Sequence, residues 1–239
     1  MSVWGKFIVS AAGFALGGPI GALIGIVAGH AIDKIKTKQK LPEESALKQI
    51  GFTVGVIVLS AKMAKADGKV TKEEIRAFQN KISVPENEIK NVARLWDQAK
   101  KTTDGFEVYA QQICQLLGKN SSVLEELLNL LIIIAKADGK ITKSEILYLK
   151  QVSIIFGFSI EKFERIYSSN LGEISDPYQI LGVTKKTPIV EIKNRWKMLA
   201  SNHHPDKLIA QGLPIDFIEK STNRLQEINN AWDIIKNQK

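Results

Sequence analysis

The stretch from Phe7 to Ile32 constrains the fold most, because it contains no Asp, Glu, Lys or Arg. It is longer than the roughly 20 apolar residues that a helix needs to cross a bilayer. Inside lipid the backbone N–H and C=O groups must be paired, which a single apolar segment achieves only as a helix. We therefore predict a transmembrane helix over residues 7–32, with a kink near Gly18 and Pro19.

Glycines recur at every fourth position of this stretch, so they share one face of the predicted helix. Overlapping small residues at this spacing let two helix backbones approach closely in lipid. A glycine-rich span without a partner is the alternative. We expect a homodimer through this face, which consists of Gly13, Gly17, Gly21, Gly25 and Gly29.

A cleaved signal peptide is the competing interpretation, because Lys6 precedes the apolar stretch. The stretch is longer than the usual signal core, however, and a lysine-rich linker over residues 33–42 follows it. The positive-inside rule then puts residues 1–6 outside and the rest of the chain in the cytoplasm. The single cysteine, Cys114, agrees with that compartment, since one chain cannot build a disulfide framework from it.

The net charge of +8 raises the question of nucleic-acid binding. The excess charge is spread along predicted helices, the aromatic content is 7%, and no zinc-finger spacing occurs. We therefore expect no nucleic-acid partner. The lysines after the span instead suit anionic lipid headgroups.

An internal repeat organises the middle of the chain. Residues 64–71 read Ala-Lys-Ala-Asp-Gly-Lys-Val-Thr, and residues 135–142 differ from them only by Ile in place of Val. Apolar helices are predicted just before each copy, over Ile50–Ala64 and Val123–Ala135, and the Asp-Gly pair ends them. A capping box then starts the next helix. The boxes are Thr71 with Glu74 and Thr142 with Glu145.

The repeated turns resemble the TerB-like fold, named for tellurite-resistance proteins, over residues 43–170. Asp67 and Asp138 are weak candidates for metal ligands in these turns. Each turn has one carboxylate beside lysines, whereas a calcium loop takes several oxygen ligands in sequence. We favour a structural role for both aspartates and expect no cofactor. The bundle would then offer a surface to a partner that the sequence does not name.

Two amphipathic helices are predicted near the C-terminus. Thr187 and Pro188 form a helix start, and Pro205 ends that helix near His203. Facing apolar stripes make the two helices an antiparallel hairpin with His204, Pro205 and Asp206 at its exposed tip. The stripes are Ile192, Trp196, Leu199 and Ala200 on the first helix, and Phe217, Ile218, Ser221, Leu225, Ile228, Ala231, Trp232 and Ile235 on the second.

The tripeptide at the tip has two ordinary interpretations. Asp after Pro is common turn chemistry. A catalytic His–Asp pair would need a nucleophile within reach of an oriented base, and no Ser or Cys accompanies it. We therefore expect no enzymatic activity from this loop.

With its flanking sequence, the hairpin resembles the J-domain of DnaJ-type co-chaperones over residues 175–239. The resemblance rests on the opening Asp-Pro-Tyr-Gln-Ile-Leu-Gly-Val at 176–183 and on the tripeptide between two helices. It implies that His204, Pro205 and Asp206 dock on an ATP-bound DnaK-type chaperone and trigger ATP hydrolysis. Electrostatic attraction to an acidic chaperone surface would come from Lys193, Arg195 and Lys197.

This sequence departs from the common J-domain pattern at several positions. Arg195 stands where a small residue is frequent, Met198 where a basic residue is frequent, and Trp196 and His203 where Tyr is frequent. These departures bear on the strength of docking. Only about Asn170–Ser175 separates the two domains, so we expect the J-domain to swing little.

The order of anchor, TerB-like bundle and C-terminal J-domain resembles the DjlA family, the membrane-anchored DnaJ-like proteins of Gram-negative bacteria. Trp4-Gly5-Lys6 and residues 203–208 and 212–214 add to the resemblance. It implies an all-α, single-pass co-chaperone of the inner membrane that recruits DnaK. The alternative is a stress-sensing or metal-sensing membrane adaptor that acts through the bundle. A metal-dependent enzyme would need a cluster of His, Cys or carboxylate residues that the sequence lacks.

Overall fold

The computed structural model describes residues 17–22, 44–66, 78, 86, 89–101, 105–137, 139–172, 176–214 and 218–238. Every regular element within those ranges is a helix. This confirms the all-α prediction for the TerB-like and J-domain regions.

A bundle of six described helices forms the central domain. The first of them, α1, packs against α2, α3, α4 and α5, while α6 packs against α4 and α5. The six are α1 (Glu44–Ala66), α2 (Ile89–Lys101), α3 (Glu107–Leu117), α4 (Ser122–Ala135), α5 (Lys143–Ile155) and α6 (Ile160–Leu171).

The central position of α1 follows from its apolar sequence. Its side chains are buried from Ile50 to Ala64, as a helix surrounded by four others requires. The Tyr148 hydroxyl of α5 donates a hydrogen bond of 2.8 Å to the carbonyl oxygen of Leu59. Burial raises the pKa of Tyr148, and the nearby Glu107 carboxylate adds to that effect.

The second copy of the repeat has the predicted local structure. Gly139 has a φ of 100°, which glycine adopts at little cost at the end of a helix. Thr142 caps α5: its Oγ1 accepts from the Glu145 N–H at 3.2 Å, and Glu145 Oε2 accepts from the Thr142 N–H at 2.7 Å. The predicted capping box is thus confirmed here, whereas Thr71 and Glu74 of the first copy lie outside the described residues.

The C-terminal domain contains four described helices around its own small core. The rings of Trp196 and Trp232 stack with centroids 5.3 Å apart, and Trp196 Nε1 donates to Asn229 Oδ1 at 2.9 Å. Ile192 and Ile228 are fully buried beside them, as the predicted stripes require. The helices are α7 (Pro177–Leu181), α8 (Ile189–Asn202), α9 (Pro205–Ala210) and α10 (Ile218–Gln238).

The described part of the predicted membrane segment is residues 17–22. Gly17 and Gly18 have φ values of 57° and 56°, which lie outside the right-handed helical range, next to Pro19. The side chain of Gln112 contacts the short helical segment at 18–22, accepting from the Ile20 N–H at 2.8 Å and donating to the Gly17 carbonyl at 2.8 Å. These residues lie at the position of the predicted kink, which stays a prediction because most of the span lies outside the described residues.

The described helices include none that is both long and apolar enough to cross a membrane. Most of the predicted span lies outside the described residues, and so do Gly13, Gly25 and Gly29 of its glycine face. The transmembrane helix and its dimerisation therefore stay predictions.

Candidate functional site

Helix α8 positions the candidate site at its C-terminal end. The helix ends at Asn202 with His203 as its C-cap, in agreement with the predicted end. Its start differs by one residue from the prediction. Pro188 is the N-cap, without a side-chain bond, and the Thr187 hydroxyl oxygen instead accepts from the Thr184 N–H at 3.1 Å. Thr187 thus stabilises the preceding loop rather than capping the helix.

The tripeptide forms the junction between α8 and α9. His204 has an extended backbone and caps α9, its Nδ1 accepting from the Asp206 N–H at 3.3 Å. Pro205 occupies the first turn of α9, where its missing N–H is not needed. Sequence analysis predicted a loop here and missed this short helix. The sequence pattern that could have indicated the helix is His204, whose side chain caps it, followed by Pro205 at its first position.

His204 and Asp206 are open to a partner. Their side chains are 54% and 88% exposed, and the nearest approach of Nδ1 to the Asp206 carboxylate is 3.7 Å. The predicted exposed tip is therefore present. The pair offers an imidazole and a carboxylate on a rigid proline-containing turn.

The three cations of α8 fall into two groups. Lys193 and Lys197 are exposed, as predicted for an outer basic face. Arg195 is only partly exposed, and its Nε donates to the carbonyl oxygen of Leu181 at the end of α7 at 3.2 Å. Arg195 is thus less exposed than the two lysines with which the sequence groups it, and its part in docking stays a prediction. Its guanidinium joins α8 to α7 because the side chain is long enough to reach the end of that helix.

The back of the tip contacts the central bundle. Leu208 of α9 and Leu213 are fully buried within the apolar core of the bundle. The side chain of His203 is 2% exposed, although it directly precedes the exposed His204. Sequence analysis did not predict these contacts, because they join residues far apart along the chain.

His203 lies between two glutamates of α4. Its Nδ1 is 3.2 Å from Glu126 Oε1, and its Nε2 is 3.6 Å from Glu125 Oε1. Lys162 of α6 pairs with the other oxygen of Glu125 at 2.9 Å. Burial raises the pKa of Glu125, but the charges of His203, Lys162 and Arg224 together outweigh it and lower that pKa.

Arginines from both domains surround the same region. Arg224 Nη1 of α10 donates to Ser169 Oγ of α6 at 3.1 Å and pairs with Glu227 at 2.7 Å. Burial lowers the pKa of Arg165; the Glu125 carboxylate opposes this, and Arg195 and Arg224 add to it. A cleft of about 170 Å³ separates α10 from α4 and α6, with Glu126 and Arg224 in its lining. The interface between the domains is therefore charged and polar around its leucine contacts.

The weak metal candidates, Asp67 and Asp138, both lie outside the described residues. Within the described ranges, no group of three or more His, Cys, Asp or Glu side chains is placed to hold a metal ion. Whether either turn binds a metal stays untested.

Family comparisons divide the chain as the sequence does. Residues 1–49 match the family described as co-chaperone DjlA transmembrane domain. Residues 53–168 match tellurite resistance protein TerB, and residues 176–239 match the DnaJ domain. The three matches follow in the predicted order and cover nearly the whole chain.

Relatives of similar length carry the same description. The chain is 28% identical to the co-chaperone protein DjlA of Photobacterium profundum, covering 99% of each. It is 27% identical to that of Coxiella burnetii, covering 97% of this chain and 96% of the relative. For the Vibrio cholerae protein the identity is 26%, over 100% of this chain and 99% of the relative. No solved structure matches this chain.

Proposed function

We propose that this chain, which belongs to the DjlA family of co-chaperones, recruits a DnaK-type chaperone at the inner membrane and stimulates its ATPase. The observation that carries the proposal is the exposed His204-Pro205-Asp206 turn next to the exposed lysines of α8. The turn is held from behind by buried leucines, so a partner meets a formed surface.

The two parts of this surface serve different steps. Lys193 and Lys197 attract an acidic surface and raise the rate of encounter, an effect that salt screens. His204 and Asp206 then make short-range polar contacts that set the chaperone's hydrolysis-competent state. The co-chaperone itself forms no covalent intermediate in this scheme.

The match of residues 1–49 to the DjlA transmembrane domain supports membrane anchoring. In our proposal residues 7–32 form a single span with the N-terminus periplasmic, and the glycine face makes a homodimer. Insertion of residues 17–22 into the bilayer would replace their contacts with Gln112 by contacts with lipid. In a membrane two-hybrid assay, Gly21→Ile and Gly25→Ile should weaken self-association, and an unchanged signal would refute the dimer.

The decisive experiment is single-turnover ATP hydrolysis by the cognate DnaK with the full chain in lipid nanodiscs. His204→Gln and Asp206→Asn should each remove most of the stimulation. Asp233→Asn is the matched control, since it removes an exposed carboxylate from α10 of the same domain, away from the turn. Equal stimulation by Asp206→Asn and Asp233→Asn would contradict a role for the turn.

No stimulation by the wild type would overturn the proposal and return attention to the alternative adaptor function of the bundle. That alternative predicts bound metal. Elemental measurement of calcium and zinc on the purified chain, with Asp67→Asn and Asp138→Asn as comparisons, tests it directly.

A further inference from the structure

His204 and Asp206 face solvent, but the adjacent His203 does not. Its ring is instead buried between carboxylates of the other domain, with both nitrogens directed at carboxylate oxygens. A neutral imidazole donates from one nitrogen and presents a lone pair at the other. The lone pair would then face a carboxylate, whereas the doubly protonated ring is attractive to both glutamates.

We propose that protonated His203 is a positioning residue that bridges Glu125 and Glu126 and holds the partner-binding turn on the central bundle in one orientation. The inference rests on the proposed function, because it concerns how the turn is presented to DnaK. It adds a role for the TerB-like bundle as the support of that turn.

The bridge is placed to control the turn. His203 precedes His204 directly, and Leu208 lies on the following helix α9, so the turn is held to the bundle on both sides. A surface that is already ordered loses less conformational entropy when it binds a partner. Holding His203 therefore favours binding of DnaK at the exposed face of the same turn.

Other charged groups near His203, Glu125 and Glu126 also affect how strongly protonation of His203 would favour docking. Lys162 and Arg165 face it from α6, and Arg224 faces it from α10. Lys162 pairs with Glu125 Oε2, which leaves Glu125 Oε1 and Glu126 Oε1 to His203. Lysine and arginine side chains stay charged near neutral pH, whereas imidazole is the side chain that most often changes charge there, which is why the test compares two pH values.

The sign of the pH effect follows from the contacts. The docked state binds the proton between two carboxylates, and the undocked state exposes the ring to water. Acidification therefore favours docking, and a rise in pH weakens it. The loss of one charge-assisted hydrogen bond corresponds to a change of about tenfold in the docking equilibrium.

The test uses the full chain in nanodiscs and two readouts at pH 6 and pH 8. Docking is measured by fluorescence energy transfer between dyes at Gln151→Cys and Asn230→Cys, both exposed, in a Cys114→Ser background. Function is measured as stimulation of DnaK by the wild type divided by stimulation by His203→Gln, a ratio that cancels the pH dependence of DnaK.

The wild type should show higher energy transfer at pH 6 than at pH 8, and His203→Gln should show no such change. The ratio of stimulation by the wild type to stimulation by His203→Gln should be about 5 at pH 6 and near 1 at pH 8. A difference of this size is what the loss of one charge-assisted hydrogen bond can produce. With a wild type that stimulates DnaK, a flat result in either readout overturns the proposal. Glu126→Gln gives a second route to the same outcome if His203→Gln folds poorly.

His204→Gln is the matched control, as it changes the adjacent histidine of the same turn. It should abolish stimulation at both pH values and leave the energy transfer of the wild type unchanged. If the wild type does not stimulate DnaK at either pH, the proposed function fails. The energy transfer then decides by itself whether protonated His203 holds the two domains together.

Discussion

Two helices of equal length, α4 and α8, are used in opposite ways. Each has 14 residues, yet twelve residues of α4 are buried and Ile192 is the one fully buried residue of α8. Helix α4 lies among α1, α5 and α6 and also receives the J-domain at Glu125 and Glu126. The difference teaches that the bundle supplies stability and a surface against which the J-domain packs, while the outer face of α8 stays exposed.

The largest effect that this contrast predicts is on the stability of α4. Leu131 is fully buried, so Leu131→Ala should lower the free energy of unfolding by about 2–5 kcal/mol, through lost burial and a cavity. Met198 of α8 is 44% exposed, and Met198→Ala should change it by less than about 0.5 kcal/mol. Urea denaturation of both variants in detergent tests the contrast, which equal losses would break.

The contacts between the domains give the next prediction. The pKa of Glu125 is lowered in the folded chain, so its negative charge stabilises the fold at pH values above the ordinary glutamate pKa. This stabilisation is lost as the pH falls through the pKa of the folded state. Glu125→Gln should therefore cost about 1.5–3 kcal/mol at pH 7, a cost that shrinks below about pH 4. Unfolding measured from pH 7 to pH 3 checks this.

Glu164→Gln serves as the control for Glu125→Gln. Glu164 pairs with Lys150 at 2.9 Å on the surface of the bundle, where both side chains are nearly half exposed. Its loss should change stability by less than about 0.5 kcal/mol at any pH. A constant cost for Glu125→Gln down to pH 3 would show that the charge of Glu125 is not what stabilises the interface.

The exposed face of α8 predicts a kinetic effect of about tenfold. Removing both charges with Lys193→Ala and Lys197→Ala should slow association with DnaK by about tenfold at low salt and by much less at high salt. Arg195→Ala should instead destabilise the J-domain, because it loses the bond to Leu181. Stopped-flow association at two salt concentrations separates the double lysine variant from Arg195→Ala. The same salt dependence of association in both variants would contradict the distinction between the exposed lysines and Arg195.

The same comparison shows which features of the fold and of the candidate site could be predicted from the sequence. The C-terminal end of α8, the capping box at Thr142 and the stripe ending in Leu199 and Ala200 depend on residues close together along the chain, and the structure has them where the sequence predicts them. The burial of His203 against Glu126 joins residues 77 positions apart. No pattern along a helix encodes such a contact, because it depends on how two finished domains meet.

Arg195 shows the same limit on a smaller scale. Spacing alone puts it beside Lys193 and Lys197, off the apolar stripe. Its length lets the guanidinium reach back to the carbonyl of Leu181, where α7 ends and leaves an unpaired acceptor. Sequence analysis shows that Arg195 is unusual at this position, but only the packing of α7 on α8 shows which group Arg195 binds.

The smallest predicted effect compares the two copies of the repeat. Thr142→Ala removes the oxygen that accepts from the Glu145 N–H and should cost about 1 kcal/mol of stability. Thr71→Ala should cost the same amount if the first copy forms the same capping box, since both copies share the residues Thr-Lys and a glutamate three positions on. Urea denaturation of each variant beside Thr142→Ser, which keeps the capping oxygen, measures the two costs. A loss confined to Thr142→Ala would mean that the shared sequence forms a capping box in one copy alone, and that the surrounding packing decides which.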